Sequence, residues 1–60
     1  MDFKKGDKVS HRLHGNGIVV DISYDGQYPL YIRFEGENHS RKYSLDGKEN
    51  IWGQQKIYRV

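Results

Sequence analysis

Two imidazoles three residues apart, His11 and His14, are the first residues in this 60-residue sequence whose chemistry could reach beyond folding. An imidazole can bind zinc or transfer a proton near neutral pH. The third histidine, His39, lies far off, cysteine is absent, and no carboxylate recurs around the pair at a ligand spacing. The pair is therefore read as turn and strand-end residues that bond the backbone, and no metal or other cofactor is expected. Asp7, Ser10 and His11 supply the residue types of a hydrolase triad. In an extended strand, however, neighbours point to opposite faces, and so short a chain encloses no deep water-excluding pocket. Gly15-Asn16-Gly17 has the composition of a phosphate loop, yet a strand-like run follows it in place of a helix N-terminus. It is expected to be a hairpin turn, and the protein is not expected to be an enzyme.

Aromatic side chains carry the stronger signal. Eight residues are Phe, Tyr or Trp, more than a core this small can enclose while still pairing each polar tip. Several must sit at the surface. Tyr31 and Arg33 fall on the outer face of an alternating run, Trp52 lies in a polar loop, and Tyr24, Tyr28 and Tyr58 stand at strand ends. Tyr28, Tyr31, Arg33, Trp52 and Tyr58 are the candidate partner-binding residues, since such types anchor interfaces. Packing is the competing role: it takes Tyr43 into the core and would use Trp52 to plug one end of a barrel. The alternative partner is nucleic acid, with Arg33, Arg41, Lys42, Lys56 and Arg59 on phosphates and a ring stacked on a base. Ten basic against eight acidic residues leave a net charge of only +2, with the signs interleaved, which permits that partner without demanding it.

Short strands must position these groups. Phe3 anchors the start, and Gly6-Asp7 makes a turn. Residues 8–11 alternate with Val9 inward. After the Gly-Asn-Gly turn, residues 18–23 place Ile18, Val20 and Ile22 on one face, which is read as the core face. Asp25-Gly26 signals the next reversal and Pro29 the start of a strand. Leu30, Ile32 and Phe34 then alternate with Tyr31, Arg33 and Glu35. A weaker strand over residues 39–45 puts Arg41, Tyr43 and Leu45 on one face. Residues 48–55, with Ile51, Trp52 and Gly53, read as a loop with a short helical turn, and residues 56–60 as a last strand with Ile57 inward.

Five strands with short turns and no long helix predict one all-β domain over residues 1–60, a five-stranded antiparallel SH3-like (Tudor-like) barrel. Phe3, Val9, Leu13, Ile18, Val20, Ile22, Leu30, Ile32, Phe34, Leu45 and Ile57 form its expected centre. Without cysteine there is no disulfide framework. Without a long apolar run there is neither a signal peptide nor a membrane span. A soluble, cytoplasmic protein is expected, monomeric or paired through a bare sheet edge.

The run Phe3-Lys4-Lys5-Gly6-Asp7-Lys8-Val9-Ser10-His11, then His14-Gly15-Asn16-Gly17-Ile18-Val19, resembles the C-terminal Tudor-like domain of UvrD- and PcrA-type helicases. It is similar also to the polymerase-interacting domain of CarD-type transcription regulators and transcription-repair coupling factors. The likeness covers the first third of the chain and, more loosely, Tyr28 to Phe34. It implies a non-catalytic module that docks on RNA polymerase or related bacterial transcription and repair machinery, often through a strand edge. Tyr43 to Gly47 also looks like a segment of small bacteriophage and mobile-element proteins, which implies an inhibitor of a host enzyme as a further alternative.

Overall fold

The alternation around Val9 becomes strand β1 (Lys8–His11) in a computed structural model that describes residues 3–50 and 52–60. It is followed by β2 (Gly15–Ile22), β3 (Leu30–Phe34), β4 (Arg41–Tyr43) and β5 (Ile57–Arg59). The five strands form one sheet in the order β4-β3-β2-β1-β5, with every neighbouring pair antiparallel. The segment after β4 also bonds to the segment entering β5. Lys56 N–H donates to the Gly47 carbonyl at 2.8 Å, and Lys48 bridges Gln55. The ends of the sheet are thereby drawn together into a curled half-barrel with the strand arrangement of a small SH3-like barrel. No helix occurs among the described residues, so none is long and apolar enough to cross a membrane.

The core consists of Phe3, Val9, Val19, Leu30, Ile32, Phe34, Tyr43 and Ile57, with Ile22 and Leu45 packed against it. The folded chain exposes 4391 Å², against about 10,000 Å² for an unfolded chain of this mass. So few side chains carry the burial that each contact among them matters.

Four expectations are corrected. First, β2 begins at Gly15, and the turn occupies residues 12–14. Of the two glycines flanking Asn16, only Gly15 has a left-handed backbone, at φ 79°. Gly17 lies within the strand, between Val9 and Phe34, and the ring of Phe34 fills the space where a side chain would stand. Second, the inward residue of β2 is Val19, which is fully buried, whereas Ile18 is 40% exposed and Val20 half-buried. Pairing sets the phase: Gly17 opposes Phe34 and Val19 opposes Ile32, and a bulge between Val19 and Asp21 then resets it so that Ile22 meets Leu30. Third, Leu13 is 83% exposed, because it stands at the turn and not in the centre. Fourth, β4 holds only three residues. Ser44 leaves the ladder to build a turn, where its N–H donates to the Lys48 carbonyl at 2.9 Å and its hydroxyl accepts from Lys48 N–H at 2.9 Å.

Residues 48–55 contain no helix among the described residues. Their reversal is closed by Gly53 N–H donating to the Asn50 carbonyl at 3.1 Å. Trp52 plugs nothing, being 88% exposed. Ile51 lies outside the described residues.

Candidate functional site

His11 ends β1 on the inward face beside Val9's position, and its side chain is 2% exposed. The turn that follows aims two backbone N–H groups at its Nδ1, from Leu13 at 3.0 Å and His14 at 3.3 Å. Nδ1 is therefore an acceptor, which places the ring proton on Nε2. That proton is donated to Glu49 Oε1 at 3.0 Å, and the Tyr43 hydroxyl donates to the same oxygen at 3.1 Å. The rings of His11, His14, Phe34 and Tyr43 pack around this bond, with His11 and His14 4.3 Å apart at their centroids. Burial pushes the Glu49 carboxyl up, but the bonds from His11 and Tyr43 outweigh it and hold the group below its ordinary value. Burial first, and then the Glu49 charge, push the Tyr43 hydroxyl well up.

His11, His14 and Glu49 bring ligating atoms within 4.8 Å of one another, a carboxylate neighbour that the sequence spacing did not disclose. A metal on Nε2 would displace the very proton that Glu49 accepts. The remaining nitrogen could not carry it instead, because two N–H donors already occupy that side. The cluster is thus built as a tie between β1, β4 and the loop before β5, and not as a ligand set.

The candidate aromatics divide by position. Tyr31, outward on β3, is paired with Asp21 on one side and Lys42 on the other. The Lys42 ammonium lies 5.6 Å from the centre of the Tyr31 ring. Tyr28 joins them, and with residues 23 and 25–27 the three line a concavity of about 260 Å³. This corner adjoins β4, the outermost strand at its end of the sheet. Arg33 lies two residues along β3 in a separate hollow with Lys8, Ile18 and Val60, and its Nε donates to the Glu37 carbonyl at 3.2 Å. Tyr58 is on β5 opposite Ser10, at the other end of the sheet, and Trp52 is in the β4–β5 loop. The five partner-binding candidates are therefore not one patch; Tyr28 and Tyr31 are brought together.

The cations proposed for phosphates are dispersed and in part engaged. Arg41 grips Glu37 through two of its nitrogens, Nε to Oε1 at 3.0 Å and Nη2 to Oε2 at 2.9 Å, and this pairing holds the Glu37 carboxyl below its ordinary value. Arg59 pairs with Asp7 at 3.3 Å and covers the Phe3 ring. Lys42 rests on Tyr31, and Lys56 is exposed on the approach to β5. The sequence placed Leu13 in the core, and it passed over Glu49. The signal for Leu13 was its place in the turn, just ahead of a glycine that takes a left-handed backbone. Glu49 gave none, being 38 residues from its partner.

Comparison with protein-family models, with curated proteins and with solved structures finds no match to the chain. Fold and surface therefore define the class: a small all-β, SH3-like module with an aromatic corner beside an edge strand.

Proposed function

We propose that the protein is a non-enzymatic docking module that takes an extended segment of a protein partner along the edge of β4. The observation that carries this reading is the corner of Tyr28, Tyr31 and Lys42, contiguous with that edge. A strand added to β4 gains main-chain hydrogen bonds, and an apolar side chain of the partner seats against the two tyrosines. The resemblance of residues 3–19 to polymerase-interacting modules supports a partner in the bacterial transcription or repair machinery, met in the cytoplasm. Nucleic acid is the weaker reading, because Arg41 and Arg59 are held in ion pairs and Arg33, Lys42 and Lys56 are spread over β3, β4 and the approach to β5.

The test is biolayer interferometry of the immobilised protein against purified bacterial core RNA polymerase, beside single-stranded DNA at two salt concentrations. Polymerase binding is expected, with Tyr31→Ala weakening it by about thirtyfold, as the loss of an aromatic anchor does. A control change at exposed Lys5 is expected to leave it intact. Undiminished binding by Tyr31→Ala, or binding to DNA alone with a steep salt dependence, would overturn the reading.

A further inference from the structure

We propose a second docking surface at the opposite end of the sheet, formed by the β1–β2 turn and β5, for an acidic peptide segment bearing an apolar side chain. Leu13 is 83% exposed, and Tyr58 is 53% exposed. Neither is loose. The N–H groups of Leu13 and His14 are fixed on the buried His11 ring. The Tyr58 hydroxyl donates to the Gln55 carbonyl at 3.1 Å, which sets the angle of its ring. Two apolar groups held out into water on a rigid frame lose little freedom when covered.

Between them lies a cleft of about 470 Å³, whose lining includes Arg12, Gln54, Gln55 and Lys56. That volume suits a few residues of a peptide. The lining carries two cations and no carboxylate, and neither Arg12 nor Lys56 forms an ion pair among the described residues. The carboxylate whose field reaches Lys56, Glu49, is already taken by His11 and Tyr43. Charge complementarity therefore selects carboxylates on the occupant, Leu13 and Tyr58 select an apolar side chain between them, and the Gln54 amide suits a peptide backbone, that of Gln55 being held on the Ile57 carbonyl at 2.8 Å. A nucleic acid fits less well: two cations neutralise about two phosphates, which gives weak binding at physiological salt. Of the two exposed side chains only Tyr58 offers a plane for a base. The two surfaces share no lining residue, so each can be filled without the other.

The experiment is a ¹⁵N–¹H NMR titration of the intact protein with the peptide Asp-Glu-Leu-Phe-Glu-Asp, with its charge-reversed counterpart Lys-Lys-Leu-Phe-Lys-Lys, and with a thymidine hexanucleotide. The acidic peptide is expected to shift the amides of Leu13, Gln54, Gln55 and Tyr58. Leu13→Ala and Lys56→Glu are each expected to weaken it by about three- to tenfold, and both side chains are exposed enough for the variants to fold. No shift at millimolar peptide, equal binding of the charge-reversed peptide, tighter binding of the hexanucleotide, or shifts confined to Tyr28, Tyr31 and Lys42 would each overturn the proposal. Loss of polymerase binding at the β4 corner leaves these outcomes unchanged, so the two surfaces are judged separately.

Discussion

Alanine at position 17 is expected to destabilise the protein, although Gly17 needs no left-handed backbone. A Cβ there would stand 2.7 Å from Phe34 Cδ1 and 2.9 Å from the Arg33 carbonyl oxygen. Neither can yield cheaply: Phe34 is 1% exposed in the core, and the carbonyl belongs to the paired strand. Glycine in a strand costs roughly 0.5–1 kcal/mol relative to alanine, whereas overpacking a full site costs about 1–3 kcal/mol. The net loss is about 1–2 kcal/mol, which lowers Tm by roughly 4–16 °C in a domain this size. Gly15 reverses the argument, since nothing lies within 4 Å of its Cβ position while its φ is +79°. Asparagine, which enters that backbone region readily, should therefore be tolerated at 15 and damaging at 17. Thermal and urea denaturation followed by far-UV circular dichroism measure both. A Gly17→Ala protein as stable as the parent, or Gly15→Asn more damaging than Gly17→Asn, would refute the steric account.

Three further outcomes are expected. Glu49→Ala leaves the His11 Nε2–H and the Tyr43 hydroxyl without their acceptor and should cost about 2 kcal/mol in urea denaturation, water reaching part of the site. Because the folded Glu49 carboxyl lies below its ordinary 4.5, its contribution is complete above that pH and is lost as pH falls through the lower folded value. Glu49→Gln should flatten the loss of stability on acidification, and an unchanged slope would remove Glu49 as its cause. Trp52→Ala should leave stability within about 0.5 kcal/mol, with the parent's fluorescence matching tryptophan in water, since the ring is 88% exposed; a larger loss would mean that the ring packs.

What could be read from the sequence was what local pattern decides. Leu30, Ile32 and Phe34 alternate with polar or amphipathic neighbours, so only one phase buries them well, and β3 follows the expectation. In β2, Ile18, Val19 and Val20 are all β-branched and apolar, so periodicity alone could not choose between faces. The choice is made by partners: Val9 and Phe34 on either side of Gly17, and the bulge beyond Val19. The Gly-Asn-Gly composition showed that side chains were unwelcome without showing that one glycine answers a backbone need and the other a packing need. Leu13 had the hydropathy of a core residue and the position of a turn residue, and position prevailed. The His11–Glu49 bond joins residues too distant for any spacing rule to pair them.

A strand at the end of a sheet invites its own kind. On β4 the middle residue of three is Lys42, directed outward beside Tyr31. A two-fold axis through that strand would bring two ammonium groups face to face. That like-charge opposition disfavours pairing with a second copy, and a foreign strand that sets an acidic or apolar residue opposite Lys42 escapes it.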